Sequence, residues 1–104
     1  MTQHGVISRG VDAFFFDMRE NMLLPGHVSE MQFFLLIGIS SIHSDKVILA
    51  MKDYLVGGRS RKYVCDTYQI NNGYFSTTLG RLNRLNALVA RLAPYYMNKP
   101  HSCE

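Results

Sequence analysis

Apolar residues along this chain recur three and four positions apart, the period of an α-helix, and no stretch alternates long enough to compete as a strand. The pattern predicts an all-α fold of about five helices in a single compact domain over residues 1–104, with flexible ends at about 1–8 and 97–104. Val11, Phe14, Phe15 and Met18 form one stripe between Arg9 and Met22, and Pro25 with Gly26 breaks the run. A second helix is expected from Glu30 to Ile39, because Ser29 followed three residues later by Gln32 has the form of a capping box. With Met31, Phe33, Phe34, Leu35, Leu36, Ile37 and Ile39 it is apolar on nearly every side, and it is expected to be buried within the domain or against a partner. Ser44 is placed to cap a third helix, where Val47, Ile48, Met51, Tyr54 and Leu55 make one stripe and Gly57-Gly58 ends it. Ser60 opens a short fourth helix to about Thr67. A turn from Gln69 to Asn71 leads into a long fifth helix from Asn72 to Leu92, stopped by Pro94.

The last two of these helices read together as a helix-turn-helix over about residues 60–84. In that motif the first helix crosses the DNA backbone and the second lies in the major groove. Val64, Tyr68, Ile70, Phe75 and Leu79 supply the apolar faces that two closely crossing helices need, and Cys65 supplies a small residue at their nearest approach. Outward on the second helix remain Asn72, Gly73, Ser76, Thr77, Gly80, Arg81 and Arg84, with Tyr74 at the edge. Asn can pair with an adenine edge and Arg can fork onto guanine, while Ser, Thr and helix N-terminal amides hold phosphates. Arg59, Arg61 and Lys62, at the start of the preceding helix, suit the sugar-phosphate backbone better than base edges. Two positions depart from the common pattern. Gln69 stands where many such turns place a glycine, and Thr78 is polar near an expected apolar site. A helical hairpin with a merely solvated basic face therefore stays open as the plainer reading.

Charge sharpens the picture. Four basic residues face six acidic ones up to position 58, whereas seven face two from Arg59 onward, net charges of −2 and +5. Such asymmetry favours a polyanionic partner. The 47% of apolar residues excludes a disordered chain, and no run is long enough to span a bilayer. The first residues lack the basic patch and apolar core of an export signal, so a cytoplasmic protein with Cys65 and Cys103 as free thiols is expected. His4, His27, His43 and His101 are too scattered to suggest a metal site, and no cofactor is expected. No phosphate loop, nucleophile elbow or spaced triad nominates an enzyme. Cys65 reads as packing in preference to a redox sensor, and Leu82, Leu85, Leu88 and Leu92 as core in preference to a zipper. Tyr95, Tyr96 and Met97 could pack on the domain or serve a neighbouring subunit.

Long stretches also carry a likeness. The runs from Leu23 to Gly26, Ser29 to Asp45, Val47 to Gly58, Asn71 to Leu82, Arg84 to Leu88 and Ala90 to Tyr96 closely resemble the PapB/FocB family of fimbrial adhesin-operon regulators from enteric bacteria, over roughly Val6 to Tyr96. The resemblance implies a nucleoid-associated transcription regulator that binds AT-rich repeats in fimbrial operon control regions as a dimer or higher oligomer, activating its own operon or repressing others. It also implies minor-groove contact, which a helix in one groove and a basic arm in the other would reconcile. The carry-over falls on Arg61, Cys65, Asn72, Tyr74, Ser76, Thr77, Arg81 and Arg84. A helical protein-interaction module with an incidental basic face is the alternative, and an RNA or ligand role ranks third.

Overall fold

The computed structural model describes residues 22–97; the helix expected from Arg9 to Met22, Met22 itself excepted, the end at 1–8 and the residues after Met97 lie outside them. Five helices follow in order: α1 (Glu30–Ile39), α2 (Asp45–Leu55), α3 (Arg61–Tyr68), α4 (Asn72–Leu92) and a single closing turn, α5 (Pro94–Met97). Among the described residues there is no strand. The first four helices each begin at a side chain that accepts a hydrogen bond from the backbone N–H three residues on: Ser29 from Gln32, Ser44 from Val47, Ser60 from Tyr63 and Asn71 from Tyr74. Each such cap satisfies a donor the helix leaves orphaned and typically contributes about 1 kcal/mol. The expected boundaries of α1 and α4 are matched, and α3 runs one residue past its expected end. Pro94 follows the end of α4 and opens α5, where its missing N–H costs no helical bond.

One buried cluster joins these helices. Phe33 and Leu36 come from α1, Val47, Ala50, Met51 and Leu55 from α2, Val64 from α3, and Phe75 and Leu82 from α4, with Leu23, Val28, Ile42 and Ile70 contributed by the connections. Of the two expectations for α1, burial within the domain or against a partner, the described residues meet the first only in part. Phe33 and Leu36, three residues apart, are buried in the core and Ile37 packs partly against it, whereas Met31, Phe34, Leu35 and Ile39 are exposed. A single helix stripe is all that α2 and α4 can meet. Part of the other side is covered by Lys52, which lies 5.5 Å from the centre of the Phe34 ring and pairs with Glu30 at 3.3 Å.

The leucine series of α4 also divides. Leu82 is buried and Leu85 half-buried, but Leu88 and Leu92 are about half exposed, so the series is core only at its start. Tyr95, Tyr96 and Met97 are exposed and do not pack on the described body.

The connection before α1 is held as firmly as a helix. Gly26 and Val28 donate their N–H groups to the carbonyls of Tyr54 and Leu55 at the end of α2, both at 3.2 Å. Leu23 N–H donates to the buried Asn83 Oδ1 on α4 at 2.7 Å. Gly26 and Gly58 both have left-handed backbones, with φ of 76° and 74°, and they touch; a Cβ on Gly26 would sit 3.2 Å from the Gly58 Cα. Only glycine combines that conformation with that approach.

Candidate nucleic-acid interface

The turn between α3 and α4 closes on Gln69, the one non-glycine described residue with positive φ (55°, with ψ 52°). A left-handed side-chain-bearing residue costs on the order of 1–2 kcal/mol. Here the side chain offsets part of it, because Gln69 Nε2 donates to the Asp66 carbonyl at 2.9 Å, an acceptor left over at the helix end. The missing glycine noted in the sequence thus falls at the very position that calls for one. Beyond the turn, Ile70 is buried and Asn71 caps α4. Val64 and Phe75 are fully buried, Tyr68 and Leu79 half-buried against the core, and Thr78, the polar exception, is buried at 3% exposure.

Two contacts set α3 and α4 against α2. Tyr68 Oη donates to Asp53 Oδ2 at 2.7 Å, and the hydrogen bond to that carboxylate raises the phenol above its ordinary value. Tyr54 meets Phe75 edge to face, with ring centres 5.1 Å apart and an interplanar angle of 89°.

Arg61 does not stand free in solvent, as a simple phosphate clamp would. It is half-buried, with its guanidinium 4.8 Å from the centre of the Phe75 ring and Nη2 donating to Ser76 Oγ at 2.7 Å. Its Nε is buried without a partner. The side chain therefore braces α3 to the first turns of α4 and occupies the hydroxyl of Ser76, one of the expected readers.

The other expected contacts fall into two groups. Lys62, Cys65 and Asn72 share with Ser60, Arg61, Asp66, Ile70 and Asn71 a cleft of about 670 Å³ at the start of both helices. Lys62 is exposed there and pairs with Asp66 at 3.1 Å, one helical turn on. Cys65 is a free thiol, half-buried against the core. Asn72, Tyr74, Ser76 and Thr77 are exposed along the first turns of α4. Arg81 and Arg84 are exposed too, but they lie farther down α4 beside Ile39–Ile42, away from that cleft. Arg59 stands apart from both groups, its guanidinium 4.8 Å from the centre of the Tyr63 ring.

Sequence reasoning left out Asn71 and Lys46. Asn71 was legible as an N-cap, immediately before an apolar-periodic run. Lys46, whose Nζ donates to the Gln69 carbonyl at 3.5 Å, carried no local signal, because its contact spans 23 positions.

A family model described as adhesin biosynthesis transcription regulatory protein, PapB, matches residues 4–96. The chain belongs to this family. It is 74% identical over 99 residues to the major pilus subunit operon regulatory protein PapB of Escherichia coli, covering 95% of each chain. It is 45% identical over 80 residues to the AFA-III adhesin operon regulatory protein of the same organism, covering 77% of this chain and 79% of that one. The crystal structure of E. coli FocB is similar in fold, with a TM-score of 0.73 and 76% identity, over 82% of this chain and 97% of that one. Membership of the PapB family makes the protein a transcription regulator of adhesin biosynthesis. No helix among the described residues is long and apolar enough to cross a membrane.

Proposed function

We propose that this PapB-family regulator binds duplex DNA through α3 and α4 acting as a helix-turn-helix, preferring AT-rich repeats in fimbrial operon control regions. It binds as a dimer or larger oligomer in the cytoplasm, on the nucleoid, activating its own operon or repressing others according to where the repeats lie. The carrying observation is the Arg61 brace: a guanidinium on Phe75 and Ser76 beside the exposed start of α4, where Asn72, Ser76 and Thr77 face outward. A helix N-terminus flanked by Arg61 and Lys62 is suited to a phosphate, and the polar groups one and two turns on are suited to base edges. Tyr74 and Cys65 flank this surface and shape it, while Arg59, Arg81 and Arg84 extend its positive potential.

Arg61 then has two roles that an alanine scan would merge. Gel-shift titrations with AT-rich repeat and random duplexes at two salt concentrations separate them. Lys62→Ala is expected to weaken both duplexes alike and to lower the salt slope by about one counterion. Arg61→Ala is expected to lose more, and Arg61→Lys, which keeps charge without the planar fork, to recover only part of the loss. Asn72→Ala and Thr77→Ala should erode the preference for the repeats, by about 1–3 kcal/mol for each good base contact. Stepwise shifts at increasing protein would support oligomeric binding; no shift at micromolar protein would defeat the DNA reading. The exposed Met31, Phe34, Leu35 and Ile39 of α1 favour the alternative of a protein-interaction module, which predicts partner binding unaffected by Lys62→Ala.

A further inference from the structure

A second cleft, about 300 Å³ in volume, lies between the end of α1 with its following loop and one side of α4. Ile39 and Ile42 form one wall, Leu85 and Leu88 the other, and Arg81 and Arg84 stand at one end. The loop is pinned: Ser40 Oγ donates to the Ile37 carbonyl at 2.8 Å and accepts from Ile42 N–H at 3.1 Å. Among the described residues neither guanidinium has a hydrogen-bond or ion-pair partner, and no acidic residue lines the cleft. Leu88 and Ile39 are 50% and 59% exposed, apolar surface beside the two arginines.

Order along the helix matters as much as composition. Arg81, Arg84, Leu85 and Leu88 follow one another at spacings that keep them on one side of α4, charge first and hydrocarbon after, over about 10 Å of helix axis. A phosphate would satisfy the arginines and leave the apolar walls wet. We infer that this cleft is a binding site for a medium-chain carboxylate, with its head on Arg81 and Arg84 and its alkyl tail between Ile42 and Leu88. A carboxylate meets a guanidinium through paired, charge-assisted hydrogen bonds, and a flexible chain of this length covers the remaining wall. Occupancy would also withdraw two cations from the DNA-facing surface and weaken DNA binding. That consequence rests on the DNA reading; the binding itself does not.

The test is a methyl-resolved NMR titration of the full chain with sodium octanoate below its micelle-forming concentration, with 1-octanol as the uncharged control. Saturable shifts confined to the methyls of Ile39, Ile42, Leu85 and Leu88 are expected. Octanol, or octanoate on the Arg81→Gln/Arg84→Gln variant, is expected to bind about tenfold more weakly, the effect of losing charge-assisted bonds. Absent or scattered shifts, equal binding of octanol, or an unaffected double variant would overturn the site. So would concentration-dependent shifts of the same methyls without octanoate, which would seat a second copy of the chain in the cleft. A gel shift that fades at saturating octanoate supports the regulatory consequence. If octanoate binds and no duplex is ever shifted, the DNA reading fails and the site stands.

Discussion

The chain ends two consecutive helices with left-handed residues, and it builds the two turns by opposite means. After α2 the turn is made of glycine. Gly58 takes φ 74°, Arg59 N–H reaches back to the Asp53 carbonyl at 2.9 Å, and the Gly26 backbone packs on top. After α3 the left-handed residue is Gln69, exposed, with its amide turned back onto the Asp66 carbonyl. Crowding explains the difference. At the first turn the neighbours of Gly58 are crowded, a Cβ on Gly57 standing 2.8 Å from the Asp53 carbonyl oxygen and one on Gly26 3.2 Å from the Gly58 Cα, whereas one on Gly58 itself would make ordinary contact at 3.5 Å. At the second turn the backbone strain can be met by a side chain, because the surface is open. The first turn fixes the scaffold, and the second sets where α4 begins relative to α3.

The largest effect is therefore expected at Gly57 and Gly58. Gly57→Ala drives a methyl group into backbone that cannot retreat, and Gly58→Ala adds left-handed strain where Gly26 must approach. Gly57→Ala should cost about 2–3 kcal/mol, within the range of severe single substitutions, and Gly58→Ala about 1–2 kcal/mol from the left-handed strain alone. Urea unfolding followed by circular dichroism measures it. A loss below about 0.5 kcal/mol, the usual scatter of surface changes, would mean that the turn relaxes and that crowding does not distinguish the two.

At Gln69 the expectation is smaller and reverses sign with the substitution. Gln69→Gly removes the left-handed penalty but also the bond to Asp66, and it loosens the unfolded chain, so a net gain of about 0.5 kcal/mol is expected. Gln69→Ala keeps the penalty and loses the bond, for a net loss of about 1 kcal/mol. If both substitutions destabilise equally, the amide contact, and not the backbone, dominates this turn. The same melts, run beside gel shifts, would show whether a glycine turn changes DNA affinity when stability improves.

Much of this architecture was legible because its signals are local. Ser29, Ser44 and Ser60 announce their helices, Gly57-Gly58 and Pro94 bound them, and Gln69, standing where many such turns place a glycine, takes the left-handed conformation. What was illegible depends on partners far along the chain. Nothing near α1 says that Phe33 and Leu36 meet the core while Phe34 and Leu35 do not. Nothing near Arg61 says that its side chain will lie on Phe75, because a long arginine settles wherever an aromatic face and an acceptor coincide. Most of the residues expected at the site are exposed polar and basic groups, while Arg61 and Cys65 are half-buried, and their division into a braced cleft and a distant Arg81–Arg84 pair needed the fold.

The smallest effect tests how the second turn is moored to the scaffold. Tyr68, the last residue of α3, donates to Asp53, whose backbone carbonyl also closes the glycine turn. The neutral phenol is the donor, and the carboxylate raises its proton affinity in the folded state. A proton held more tightly when folded stabilises the fold fully below the ordinary phenol value of about 10, and the contribution fades as pH rises through the higher folded value. Tyr68→Phe should therefore lower stability modestly at neutral pH and flatten its decline above about pH 10. Asp53→Asn should bring the Tyr68 phenolate transition back toward the ordinary value, read by phenolate absorbance. An alkaline decline that persists unchanged in Tyr68→Phe would assign it to other groups, and it would leave the glycine turn as the stronger link between α2 and the helices that follow.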